Sequence, residues 1–268
     1  MKLTYGLELE WADVDRTAVL PYGKWSQEDY TIVNSDGHAN CPQGKRWLFG
    51  GEINTDPTDT IVGQLKQVDA FRELLNPTIN YRCNLHVHIG VDPLTLDVAK
   101  TLLRFIVRWQ ELLYPIIEPI PVPNRNDYDD EAFKGAMKRY RRRNVSHQHK
   151  LPDSRIAEAL EATTLQKFYE AHAPVNKTGQ RMWPIAPRPG MNTRALKEHG
   201  TVEFRHFPGT ANTLEIATAL RWCEGFVRCA FDGTSPIDFY YANEPWQFPK
   251  FKPYDHTLEM RYQETKYK

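Results

Sequence analysis

Three short stretches of the chain alternate apolar side chains with groups that bind cations or anions. They are Gly6-Leu7-Glu8-Leu9-Glu10-Trp11, Asn84-Leu85-His86-Val87-His88-Ile89-Gly90 and Thr201-Val202-Glu203-Phe204-Arg205-His206-Phe207. Successive side chains of a β-strand point to opposite faces. Leu7, Leu9, Leu85, Val87, Val202 and Phe204 can therefore face a core, while Glu8, Glu10, His86, His88, Glu203 and Arg205 face the other way. If the three strands share one sheet, its second face collects carboxylates, imidazoles and a guanidinium.

Between these strands the pattern changes period. Ile61, Leu65, Val68, Phe71 and Leu75 recur at helical spacing, predicting a helix over 60–75 that Asn76-Pro77 stops. Further helices are expected over about 95–117, 155–171 and 212–231. Residues 12–50 read as irregular, with short strands ending at Trp47-Leu48-Phe49-Gly50, and 51–57 as a strand end and turn. Residues 191–196 and 201–207 read as paired strands turning at Glu198-His199-Gly200. Pro119, Pro121 and Pro123 mark a rigid connection, and the tail over 232–268 is rich in aromatics and Pro without clear periodicity. Strands and helices mixed with hairpin-like pairs favour an α+β fold over a parallel sheet, in a single domain over 1–268.

Bulk properties narrow the function classes. In 268 residues, 41% hydrophobic and 25% charged, with zero formal net charge, there is a real core but no basic excess typical of a nucleic-acid coat. The N-terminus leads straight into the first motif, which argues against a signal peptide. Arg104, Arg108, Glu111 and Glu118 interrupt the most apolar region and argue against a membrane span. Cys41, Cys83, Cys223 and Cys229 form no CxxC pair, so reduced thiols in a cytoplasmic protein are expected. Cys83 near His86 and His88 raises zinc, but a fourth ligand has no sequence address.

Each candidate pair has two readings. Glu8 and Glu10 can ligate one cation or flank two, or line a solvated edge strand. Glu52 and Asp56 can add oxygen ligands, or belong to a polar turn before Pro57. His86 and His88 suit metal or phosphate, or form a structural pair. Glu203 and Arg205 can be an ion pair, or Arg205 can be the fork that grips a phosphoryl group. His38, His147, His149, His172, His199 and His256 lack comparable partners and read as surface or structural, and His206 as facing the core or a hairpin flank. Neither GxxxxGK[ST] nor GxGxxG occurs, so ATP would have to bind through metals and side chains on a sheet.

Taken in order, Gly6-Leu7-Glu8-Leu9-Glu10, Gly51-Glu52-Ile53-Asn54-Thr55-Asp56-Pro57, Asn84 to Gly90, and Asn192 with Thr201 to Arg205 resemble the amidoligases. These are a branch of the carboxylate–amine ligase group. The resemblance spans most of 4–230. It implies a glutamine-synthetase-like catalytic domain: a curved, mostly antiparallel sheet with helices packed on one face, and ATP with Mg²⁺ or Mn²⁺ on its concave face. By the same resemblance, Glu8, Glu10 and Glu52 look like metal ligands, and His86 and Glu203 would hold the metal bridging the phosphates. His88 would contact the nucleotide, Arg205 would steady the transferred phosphoryl group, and Glu52 and Arg205 together form the catalytic pair. Asn-Thr-Asp-Pro stands where the family more often has a Ser-Pro turn, which puts Asp56 in doubt. Carboxylate and amine substrates would be joined through an acyl phosphate. No protein nucleophile is needed.

Residues 134–150 carry seven basic side chains and no acid. They read either as a solvated helix face or mobile loop, or as a lid bringing Arg142 or its neighbours to ATP or an anionic substrate. Contact with nucleic acid is the less favoured use. A metal-dependent hydrolase or phosphoesterase on the same Glu/His face is the rival enzyme reading, and a non-catalytic nucleotide-binding protein the third. Tyr240, Tyr241, Trp246 and Phe248 in the tail can pack within the chain or against another subunit.

Overall fold

In the computed structural model the described residues are 1–12, 14–26, 50–77, 79, 83–113, 153–172 and 190–236. The expectations for Trp47 to Phe49, the prolines at 119–123, the basic run with Arg142 and the tail beyond 236 lie outside them.

Six strands form one antiparallel sheet: β1 (Lys2–Ala12), β2 (Lys24–Trp25), β3 (Gly50–Asn54), β4 (Asn84–Asp92), β5 (Met191–Asn192) and β6 (Thr201–Pro208). Their order is β2-β3-β1-β4-β6-β5, and every pairing is antiparallel. The helices are α1 (Ile61–Leu75), α2 (Leu96–Leu113), α3 (Asp153–Glu161), α4 (Leu165–His172), α5 (Ala195–His199) and α6 (Thr213–Asp232). This is the expected mixture of helices with an antiparallel sheet.

Alternation in the strands decides the layers. Leu3, Tyr5, Leu7, Leu9 and Trp11 of β1 join Leu85, Val87 and Ile89 of β4 and Val202 and Phe204 of β6. With Phe71 of α1, Leu102 and Ile106 of α2 and Ile216, Trp222 and Phe226 of α6 they make one buried apolar cluster. Burying such side chains stabilises by about 1.5–3 kcal/mol each.

Helix ends follow local chemistry. Thr60 Oγ1 accepts the Gly63 amide at 3.1 Å, and Asn76 closes α1 in the left-handed region with its N–H on Arg72 O. Asn212 Oδ1 accepts the amides of Leu214 and Glu215 to start α6. The turn after β3 is stitched to β1: Gln64 Nε2 donates to Tyr5 O at 2.7 Å and Asp56 O at 2.8 Å, and Thr55 Oγ1 accepts the Leu7 amide.

Three elements differ from the spacing-based reading. Of residues 191–196 only Met191 and Asn192 pair with β6, and Ala195–His199 is a helix in place of the expected strand end and turn. Ala, Leu, Lys and Glu are strong helix formers, and Gly200 at φ 69 supplies the left-handed cap with its N–H on Ala195 O and Leu196 O. The helix expected over 155–171 is two, α3 and α4, and Thr164 Oγ1 accepts the Lys167 amide where the second begins. Finally, β6 carries a bulge. Leu85 pairs with Phe207 but Val87 with Phe204, so Arg205 and His206 together oppose His86.

Candidate active site

Antiparallel register fixes which side chains meet, because directly opposed residues share a face. Glu8 lies opposite His86, Glu10 opposite Glu52, and His88 opposite Glu203. Glu8, Glu10, Glu52, His86, His88, Glu203 and Arg205 thus converge on the face of the sheet away from the apolar cluster. All but Glu8, whose side chain is 21% exposed, are nevertheless removed from water: His86 is 1% exposed, Glu10 2% and Glu203 5%. Buried charges are costly unless paired.

The pairing is dense. His86 donates from Nδ1 to Glu8 Oε2 at 2.5 Å, and Nε2 of His88 lies 3.1 Å from Glu8 Oε1. Nδ1 of His86 is 3.8 Å from Glu203 Oε1. Arg205 Nη1 donates to that same Glu203 oxygen, and Asn192 Nδ2 donates to the other at 2.7 Å. Asn84 donates to Glu10 Oε2 from both its backbone and side chain, each at 2.8 Å.

These contacts set the ionisation. Burial works against the Glu8 charge, but hydrogen bonds from His86 and His88 prevail and hold its pKa well below the usual carboxylate range. Burial likewise opposes Glu203, and the Arg205 guanidinium wins, lowering it. For His86, burial and Arg205 resist protonation, but Glu8 and Glu10 outweigh them and raise its pKa. Glu52 goes the other way. Burial and the neighbouring Glu8 charge push its carboxyl up to about 7.

Two buried atoms test whether the residues suit a cation and an anion. His86 Nε2 has no hydrogen-bond partner and stands 3.9 Å from Glu10 Oε1, too far for a hydrogen bond and suited to a shared ligand. Arg205 Nε is a buried donor without an acceptor. Glu8, His88 and Glu203 also offer ligand atoms within 4.8 Å of one another, a span one divalent ion can bridge. Four carboxylates crowd one guanidinium on this face, so the donor set fits a divalent cation.

His88, expected from the resemblance to contact the nucleotide, lies in the structure within the cation-sized group. The structure leaves Asp56 out: it is exposed, and its Oδ2 accepts the Gly23 amide at 2.9 Å in the turn. Cys83 is buried beside Ala12 and Ile79 rather than among the histidines. Arg142 lies outside the described residues.

Spacing alone missed several neighbours. Thr201 Oγ1 is 3.0 Å from His88 Nδ1, and Asn54, opposite Glu8, has a buried Oδ1 with no hydrogen-bond partner. His199, read as surface or structural, is 59% exposed in its side chain yet sets its ring edge-to-face on His88, with centroids 6.0 Å apart. Asn54 and Thr201 lie in or beside the motifs. His199 is brought in by α5, which spacing did not predict. Among the described residues no helix is long and apolar enough to cross a membrane.

No curated protein matches the chain. Among solved structures, a bifunctional glutathione synthetase from Pasteurella multocida aligns with 85% of this chain at 11% identity and a TM-score of 0.40. The chain spans 38% of that structure's length. The profile of the family described as "Putative amidoligase enzyme" matches residues 2–227. That span takes in every strand of the sheet and all seven converging residues, and the chain belongs to the amidoligase family.

Proposed function

We propose that the chain is an ATP-dependent carboxylate–amine ligase of glutamine-synthetase-like fold, forming an amide through an acyl phosphate. The observation that carries this reading is the pairing of a cation-suited Glu/His group with a buried guanidinium that has a donor to spare. Glu8, Glu10, His86 and Glu203 would hold Mg²⁺ or Mn²⁺, which when bound supplies positive charge to the phosphate oxygens. His88 is assigned to the nucleotide phosphates. Arg205, anchored at Nη1 by Glu203, keeps Nε for an oxygen of the transferred phosphoryl group.

A carboxylate is a poor acylating agent. Its oxygen attacks the terminal phosphorus of ATP, the bond to ADP breaks, and the acyl phosphate gains a good leaving group. Amine nitrogen then attacks the acyl carbon, phosphate departs and the amine sheds a proton. Glu52, opposite Glu10 on the site face, is the group we assign to take that proton. We assign Arg142 as a further contact to ATP or an anionic substrate.

Calorimetric titration of ATP-γ-S with Mg²⁺ tests the reading on wild type, a Glu8→Ala/Arg205→Ala double variant and Arg142→Ala. Metal-dependent binding is expected in wild type, none in the double variant, and about tenfold weaker binding in Arg142→Ala. Acid–amine pairs would then be screened for ATP-dependent phosphate release. A wild type that binds no nucleotide, with or without metal, would overturn the ligase in favour of a hydrolase on the same face.

A further inference from the structure

The bulge in β6 does more than interrupt pairing. It places Arg205 and His206 side by side opposite His86, with Arg205 on the site face and His206 buried on the core side. There the His206 ring stacks on Phe207, centroids 4.5 Å apart, and meets Trp222 of α6 edge-on at 5.5 Å. Its Nδ1 lies 3.1 Å from the Gly190 carbonyl oxygen. That same oxygen accepts the Arg205 amide at 2.7 Å. A carbonyl only accepts, so Nδ1 carries the proton. Burial drops the His206 pKa to about 4, so the ring is neutral at pH 7, with this as its one N–H.

We propose that His206 is a positioning residue for Arg205: its ring pins the Gly190 carbonyl, which holds the bulge that aims the guanidinium at Glu203 and the phosphoryl position. The aromatic stack fixes the ring plane, and the ring fixes a carbonyl that sets the backbone of the neighbouring residue. A simple apolar side chain at 206 would fill the space and lose the carbonyl. Asparagine keeps an N–H donor at the Nδ1 position. The aim toward a phosphoryl group rests on the ligase reading above; the fixing of Arg205 does not.

The test uses ¹⁵N-labelled full chain as wild type, His206→Leu and His206→Asn. The imidazole ¹⁵N shifts of the wild type are expected to show the Nδ1–H tautomer. The Arg205 Nε–Hε resonance, assigned by its absence in Arg205→Ala, is expected to move and exchange faster in His206→Leu and to return in His206→Asn. Titrations with Mg²⁺ should show the ATP-γ-S to ADP affinity ratio falling about tenfold in His206→Leu and recovering in His206→Asn. A merely structural loss would weaken both nucleotides alike. An Nε2–H tautomer in the wild type would overturn the proposal even if the leucine variant does not fold. So would a leucine variant with unchanged Arg205 resonance, or an asparagine variant that fails to restore it. If the wild type binds no nucleotide, the ligase reading falls, while the tautomer and the Arg205 resonance still decide the positioning role.

Discussion

Glu52 stands opposite Glu10 on the neighbouring strand and within the field of Glu8. Its carboxyl is buried, so each negative neighbour counts. Folding raises its pKa from 4.5 to about 7, so the folded chain binds more protons than the unfolded chain between those values. The stability it contributes is therefore full below about pH 4.5 and lost as pH rises through about 7, a loss of at most about 3 kcal/mol. Glu52→Gln removes the charge and keeps the shape. Without metal at pH 8, the variant is expected to melt about 5 °C above wild type, and to gain less from Mg²⁺. Thermal melts with EDTA and with Mg²⁺ check both. An EDTA melt no higher than wild type would show that the carboxylate is already compensated.

Elements were readable from the chain to the degree that they carry their own period. β1, β4 and β6 alternate apolar and ionisable residues, which gave both their existence and their two faces. α1 and α6 announce themselves by apolar spacing, and the structure adds Thr60 and Asn212 as the caps at their starts. Ala195–His199 is too short to show a period, and the apolar spacing continues across the gap between α3 and α4. The bulge is invisible in one strand, because an extra residue exists only relative to a partner. For the same reason the residues of the site could be named, but Glu8 meeting His86 or Glu203 meeting His88 awaited the register. One close approach ties two elements directly: a Cβ at Gly209 would lie 2.6 Å from the Cys83 carbonyl carbon, and the Gly209 amide bonds Cys83 O at 3.0 Å. Gly209→Ala must push backbone against backbone where β6 ends beside β4. A loss of roughly 1–3 kcal/mol is expected in urea unfolding. A neutral result would mean that this end of the sheet can open without cost.

At the scale of the whole molecule, one sheet serves two masters: helices and apolar side chains on one side, a charged cluster on the other. His206 belongs to the first and links global stability to acid. It protonates near pH 6.5 when unfolded but only near 4 in the core, so the unfolded chain binds more protons between these values. Stability from this group is present above about pH 6.5 and lost as pH falls to about 4, by about 3 kcal/mol. Urea unfolding of wild type and His206→Leu across that range is expected to give a steeper acid decline in the wild type. Parallel curves would show that the ring has access to water or a counter-charge.

Because every rung of the site spans two strands, its assembly is a parity check on folding. A one-residue slip of β1 against β4 would set Leu7 or Leu9 across from His86 and turn apolar chains onto the charged face. A sheet misregistered there would lose Glu8 and Glu10 from the charged face together, while His86, His88, Glu203 and Arg205 stayed on theirs. If the site holds a divalent ion as proposed, that ion in the refolding buffer would bind fully only to correctly aligned chains, and recovery of its affinity would read strand alignment, which spectroscopy of secondary structure would not give.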